Sequence, residues 1–216
     1  LRFPTFDFLE DNCTFIEYIH IYSQEDMQQD LEKNYKPVRF SRTTLNELMI
    51  PAYANFGGKI HGGILLSLMD KVAYACAYKH AGTYCVTVAV NRVEFLEPVE
   101  VGEMVNMLAS VNYVGKSSMV VGIKVITENF KTGTTKHTNS SYFTMVAKDD
   151  EGRPSTVPGL LLETHDDVRR YLKAIRLRTL RQHIRTELDK VDQHIDYSQL
   201  DTLLAEERCQ LQLKTE

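Results

Sequence analysis

NFGGKIHGGILLSLMDKVAYACAYKH, residues 55–80, is the stretch whose reading decides the fold. Twelve of the fifteen residues from Ile64 to Tyr78 are apolar, the exceptions being Ser67, Asp70 and Lys71. They predict a helix with nearly every face covered by protein. Broken by an acid and a base, the run falls short of the ~20 residues that cross a bilayer, so a sheet is expected as the cover. Gly82 is well placed to stop the helix.

Gly57-Gly58 and Gly62-Gly63 flank Lys59-Ile60-His61 at the helix entrance. Glycines there let the backbone approach a ligand closely, where the first free N–H groups of a helix point outward. Such a place suits negative charge, either a phosphate or the oxyanion that develops when a carbonyl is attacked. A tight turn explains the same glycines. Asp70 is a second signal, because a carboxylate on an apolar helix is costly unless it is hydrogen-bonded, paired or used. A pair with Lys71 or Lys59, or an exposed stripe, is the plainer alternative. Gly63 and Asp70 are seven residues apart, on one face but about 10 Å apart along the axis. If the helix N-terminus holds a carbonyl oxygen while Asp70 activates the attacking water, each within ~3 Å of its target, the two come from two copies of the chain.

Outward from the helix the pattern turns to strands. Val38 to Met49 has a β-prone first half and predicts a first strand. Tyr84 to Phe95 is β-rich and closes before Pro98. Val105, Met107, Ala109, Val111 and Tyr113 then alternate with mostly polar residues, the period of a half-buried strand. Gly115-Lys116 makes a hairpin turn, Met119 to Thr127 returns, and Thr134 to Lys148 supplies a last strand. One strand, a buried helix and four hairpin-linked strands imply an α+β fold, an antiparallel sheet wrapped around a helix.

Asn55, two residues, Gly58-Lys59-Ile60-His61-Gly62-Gly63, six residues and Asp70 together resemble the signature of hotdog-fold acyl-CoA thioesterases, of the brain acyl-CoA hydrolase type and its bacterial single-domain relatives. Val101-Gly102-Glu103, Gly115-Lys116-Ser117-Ser118, Phe143 to Ala147 and Val157-Pro158 follow in the family's order, so the resemblance spans about residues 38 to 160. It implies the hotdog strand arrangement and hydrolysis of fatty acyl-CoA to fatty acid and CoA. It implies Asp70 as general base or nucleophile, Asn55 orienting the water or carbonyl, and the N–H groups of Gly62 and Gly63 as the oxyanion hole. His61 becomes a positioning or gate residue, and Gly115, Lys116, Ser117 and Ser118 the turn that contacts CoA. Arg92 is a further candidate for phosphate. No metal or redox cofactor is implied, CoA being part of the substrate, and the assembly implied is a homodimer, extended to a trimer of dimers.

The 216 residues carry 25 Lys plus Arg against 29 Asp plus Glu, a net charge of −4. No global basic field is present to recruit nucleic acid. Cys13, Cys76, Cys85 and Cys209 lack CxxC spacing and read as reduced thiols of a cytosolic compartment. With no signal-peptide pattern and no run of eighteen apolar residues, the expectation is a soluble cytoplasmic protein without membrane insertion. Residues 1–37 read as an acidic N-terminal extension, with eight acids against three bases. Residues 38–160 read as the hotdog domain and 161–216 as a helical extension. In that extension a helix over residues 163 to 190 places acids in its first turns and bases afterwards, as the helix dipole favours. A short final helix follows an interruption at Asp196-Tyr197-Ser198. Two rival functions stand beside hydrolysis. One is a dehydratase or hydratase of 3-hydroxyacyl thioesters using His61 with Asp70. The other is a non-catalytic acyl-CoA sensor whose basic helix binds DNA.

Overall fold

The computed structural model describes residues 34–193 and 197–212, so the acidic extension lies, up to residue 33, outside the described residues. The chain divides into two compact units, one ending at Ala174 and the other beginning at Ile175.

The first unit holds a five-stranded antiparallel sheet and a long helix. Its strands are β2 (Thr43–Leu48), β3 (Cys85–Phe95), β4 (Met104–Val114), β5 (Ser118–Asn129) and β6 (Thr134–Ala147), in the spatial order β2-β4-β5-β6-β3. The helix α2 (Gly62–Ala81) lies on one face of that sheet. A short β1 (Tyr35–Pro37) pairs in parallel with β7 (Gly159–Leu161) beside it. This is the hotdog arrangement, a sheet wrapped on a central helix.

The expected first strand over residues 38–49 divides in two. Val38–Ser41 forms one helical turn, α1, and pairing starts only at Thr43 opposite Ala109. Ser41 accounts for the break: its hydroxyl donates to the Val38 carbonyl at 2.8 Å and accepts the Val111 N–H at 2.9 Å. A short hydroxyl side chain of this kind offers the backbone an alternative to the ladder.

Leu65, Leu68, Met69, Val72, Ala73, Cys76, Ala77 and His80 are the buried residues of α2, recurring at three- and four-residue spacing. They meet a sheet face built at period two from Met107, Val111, Met119, Val121, Ile123, Phe143 and Met145. Each such large side chain contributes roughly 1.5–3 kcal/mol by leaving water. At Gly122 on β5 an added Cβ would lie 2.1 Å from Asn112 Nδ2, so the close approach of that amide needs a glycine. Gly82, at φ 76°, returns its N–H to the Tyr78 carbonyl at 2.8 Å and stops the helix where the sequence placed the stop.

The opposite face of α2 departs from the all-round cover expected of it. Leu66, Ser67, Asp70, Lys71, Tyr74 and Tyr78 are exposed, because a single sheet covers only one side of a helix. Beside this open face runs β3, one of the two edge strands of the sheet, with Val88 and Val90 also exposed.

Helix α3 (His165–Gln193) starts on a reciprocal cap, in which Thr164 Oγ1 accepts the Asp167 N–H and Asp167 Oδ2 accepts the Thr164 N–H, both at 3.1 Å. In the first unit Ala174 is buried and Tyr171 stacks against Tyr113 with ring centroids 5.4 Å apart. In the second unit the helix carries exposed Leu180, Ile184 and Leu188, and α4 (Leu200–Leu204) follows. Asp196, where the interruption was expected, is outside the described residues.

Candidate active site

Between β2 and α2 the chain forms a small closed loop. Ala54 faces Ile60 and Lys59 faces Glu100 in isolated antiparallel bridges. The Asn55 N–H reaches the Lys59 carbonyl at 2.7 Å, and the Gly58 N–H returns to the Asn55 carbonyl at 3.0 Å. Gly58 takes φ 76°, a left-handed conformation that glycine adopts without a Cβ penalty. Asn55 Oδ1 accepts the N–H groups of Gly57 at 2.9 Å and Lys59 at 3.2 Å. Its amide oxygen is therefore committed to the loop, and the Nδ2 hydrogens are what an exposed Asn55 offers a ligand.

His61 is the N-cap of α2, and its Nδ1 accepts the Gly63 N–H at 2.9 Å. An accepting Nδ1 places the ring proton on Nε2. The free chain thus covers one of the two donors assigned to an oxyanion hole. The Gly62 N–H is left without an acceptor among the described residues. A Cβ on Gly63 would stand 3.0 Å from His61 Nδ1, and one on Gly62 would meet the Phe95 ring at 3.4 Å. Gly63 is therefore tight against the imidazole, whereas Gly62 would meet Phe95 at ordinary contact distance.

Asp70 is exposed, two turns further along the helix. Its Oδ1 accepts the Thr87 hydroxyl at 2.6 Å. Neither suggested lysine takes it: Lys59 pairs with Glu100, and no described ion pair involves Lys71. Thr87 also lies 3.2 Å from Met145 Sδ, in the sheet row Met119, Met145, Thr87. The sequence reading missed Thr87, because a hydroxyl inside a valine-rich strand carries no spacing signature. Its one signal was being a polar residue on a strand of apolar neighbours.

The Gly115–Ser118 turn closes with the Gly115 N–H on the Ser118 carbonyl at 2.7 Å. Lys116 is exposed, while the carbonyls of Lys116 and Ser117 take the N–H groups of Val157 at 3.0 Å and Ala147 at 2.9 Å. The turn is therefore braced, with the Lys116 ammonium free to reach outward. Ser118 opposes Val146, which in turn opposes Val86, so this turn stands at the Thr87 end of the sheet. The sequence candidates consequently form two groups within one chain. Asn55, His61, Gly62 and Gly63 gather where Phe95 ends β3, whereas Asp70, Thr87 and the Gly115–Ser118 turn belong to the other end. The side chain of Arg92 lies outside the described residues.

Cys76 and Cys85 are buried, and burial pushes their thiols up to about 12 and about 11. Neither is a thiolate nucleophile at neutral pH. Among the described residues no three His, Cys, Asp or Glu side chains are grouped to hold a metal, and no helix is long and apolar enough to cross a membrane.

Residues 57–134 match the family model of the Thioesterase superfamily. The chain is 43% identical over 141 residues to Protein VdlD of Helicobacter pylori, a match covering 65% of this chain and 80% of that protein. It superposes with a TM-score of 0.68 on the acyl-CoA hydrolase of Staphylococcus aureus solved with butyryl-CoA, CoA and CoA disulfide, at 31% identity over 74% of this chain and 97% of that one. The chain belongs to the hotdog acyl-CoA thioesterase family. A hexameric acyl-CoA thioesterase in its apo form is also similar, with a TM-score of 0.68, 33% identity, and coverage of 69% of this chain and 96% of that one. The staphylococcal thioesterase has further been solved with alanine in place of an asparagine, an aspartate or a threonine, positions fifteen and then seventeen residues apart in chain order.

Proposed function

We propose that the protein hydrolyses the thioester of fatty acyl-CoA, with Asp70 as base or nucleophile and with active sites shared between two copies of the chain. The observation that carries this reading is the Thr87 to Asp70 hydrogen bond on an exposed face of the central helix. It supports a carboxylate held in one orientation yet open to a reactant. Asn55, Asp70 and Thr87 are spaced by fifteen and seventeen residues, the same intervals as the three alanine positions of the staphylococcal hydrolase.

In the base form of the scheme, Asp70 takes a proton from a water as its oxygen attacks the thioester carbon. The carbonyl electrons move onto oxygen, which the Gly62 N–H and, once His61 turns aside, the Gly63 N–H receive. Donors fixed before the charge develops are the strongest contributors in such sites. Asn55 adds its Nδ2 hydrogens to the carbonyl or to the water. Collapse expels CoA thiolate, and the proton held by Asp70 passes to it. In the nucleophile form Asp70 attacks the carbon itself, the C–S bond breaks and CoA thiolate leaves as the anhydride forms. Water then cleaves the anhydride to the fatty acid and the Asp70 carboxylate, its released proton going to the thiolate.

The division of candidates between the two ends of β3 supports a shared site. A two-fold pairing of β3 with β3 of a second copy runs antiparallel, so the Phe95 end of one chain would meet the Thr87 end of the other. One pairing would bring Gly62 to Asp70 across the interface and cover Leu66, Tyr74 and Tyr78. The braced Gly115–Ser118 turn at the Thr87 end then suits the CoA portion, with Lys116 toward a phosphate. A trimer of such dimers accords with the hexameric relative.

The test is CoA release from a panel of acyl-CoAs, followed with a thiol reagent, for the protein and for Asp70→Ala, with assembly state measured for each. Release that vanishes in Asp70→Ala while assembly persists supports the scheme. Loss of water from 3-hydroxyacyl-CoA without CoA release, or equal CoA release by both proteins, would overturn it.

A further inference from the structure

Glu103 is a buried carboxylate with no task in the reaction scheme. It is 1% exposed, just ahead of β4. Its Oε2 accepts the Glu100 N–H at 3.0 Å, and the Lys136 ammonium of β6 lies 3.1 Å from Oε1, a charge contact rather than an aligned hydrogen bond. Around it the Gly102 N–H and the Glu103 carbonyl bond to the two sides of Met49, at 2.7 and 2.9 Å. The carboxylate is thus held by one backbone N–H and one ammonium while the main chain around it is tied to Met49, and burying it to close one surface turn would be an expensive use of a charge.

What the turn holds gives the expense a reason. The Glu100 carboxylate carries the Lys59 ammonium, and Lys59 is bridged to Glu100 through the backbone. The neighbouring Ile60 N–H reaches the Val99 carbonyl at 2.9 Å. From Lys59 both backbone groups return to Asn55: its N–H to Oδ1 at 3.2 Å and its carbonyl to the Asn55 N–H at 2.7 Å. An unbroken line of contacts runs from Lys136 and Glu103 through Glu100 and Lys59 to the Asn55 amide. Lys59 and Glu100 are half-exposed, and a solvated pair fixes little unless one partner is itself anchored. Glu103 supplies the anchor.

We propose that Glu103 is a positioning residue that, through the Glu100–Lys59 pair, holds the Asn55 amide where the reacting carbonyl or water meets it. This rests on the hydrolase reading given above. Asn55 acts on the reacting centre and not on CoA, so a loosened strut lowers kcat and leaves KM nearly unchanged.

The experiment measures kcat and KM for CoA release, together with hydrogen exchange of the 55–61 segment, on the assembled full chain. The variants are Lys59→Met, Glu100→Gln, the reciprocal Lys59→Glu with Glu100→Lys, and Glu103→Gln. The two single surface variants are expected to lose about tenfold in kcat with KM within about twofold, as slight misplacement of a reacting group does, and to exchange faster over the segment. The reciprocal pair is expected to regain both. Glu103→Gln keeps an acceptor for the Glu100 N–H and is expected to retain more kcat than either single variant. A further variant, Glu103→Ala, removes that acceptor and is expected to lose kcat and speed exchange over the segment as the surface variants do; a Glu103→Ala protein with wild-type kcat and exchange overturns the proposal. Unchanged exchange in Lys59→Met and Glu100→Gln, a loss that appears in KM instead, or no recovery in the reciprocal pair overturns the proposal. If the unmodified protein releases no CoA, the hydrolase reading fails, and the exchange measurement still decides whether the strut holds the loop.

Discussion

Asn55 and Asp70 lie on one loop-and-helix unit, yet their surroundings differ sharply. Asn55 spends its side-chain oxygen on two N–H groups of its own loop, inside a network that one chain completes. Asp70 stands exposed, with the Thr87 hydroxyl as its partner among the described residues. The loop is finished by local hydrogen bonds; the carboxylate face is finished only on the side that holds it in orientation. That difference is what a site divided between copies requires, because the open half must receive a partner while the closed half must already be in shape.

The comparison can be broken in several ways, the most drastic first. Asp70→Ala is expected to lower kcat by about 10³-fold or more, the upper range for removing a base, with the oligomer unchanged by light scattering. A smaller loss would show that the open face is not where the chemistry happens. Gly63→Ala is expected to cost about 10²-fold, since its Cβ would press on His61 Nδ1 and crowd the N–H proposed as an oxyanion donor. Normal turnover in that variant would mean the loop end is not a carbonyl site. Thr87→Val, nearly the same shape without the hydroxyl, is expected to lower kcat about tenfold at unchanged thermal midpoint, through a carboxylate free to rotate.

The most direct comparison of the two halves mixes them. Chains carrying Asp70→Ala and chains carrying Asn55→Ala, each inactive alone, are expected to recover about a quarter of full activity on random co-assembly, because half the dimers are mixed and each of those has one intact site. No recovery would place both residues of a working site in one chain.

A gentler expectation concerns the far end of α2. His80 is buried with Nε2 donating to the Pro158 carbonyl at 2.9 Å, and burial, which disfavours the charged ring, lowers its pKa from 6.5. The unfolded state binds that proton more readily, so the stability His80 contributes is complete above about 6.5 and is lost as pH falls toward its lower folded value. Urea midpoints measured down that range should fall, and His80→Gln should flatten this part of the profile.

Much of this was readable without coordinates, for physical reasons that differ by residue. The period-two alternation of Val105, Met107, Ala109 and Val111 and the glycine stop at Gly82 are local facts, and local facts survive in sequence. The break at Ser41 was not legible, because it depends on Val111, seventy residues away. Thr87 was hidden for the same reason: its partner Asp70 is reached only when β3 is laid beside the helix. The glycines at 62 and 63 marked the entrance of the helix but not the imidazole that rests on the Gly63 N–H. The full cover expected for α2 did not allow for a single sheet shielding only one side of the helix.

The double duty of Asn55 has one more consequence. Its oxygen fastens the loop and its nitrogen faces outward, so hydrolysis of that amide to a carboxylate would keep both fastenings and replace the outward donor by a negatively charged acceptor. Under the proposed scheme, a molecule bearing Asp at this position keeps the fastenings of its loop and loses the donor meant for the carbonyl or the water. For preparations of this protein, integrity by fold and integrity by turnover are therefore separate quantities, and a peptide map across residues 55–61 is the assay that links them.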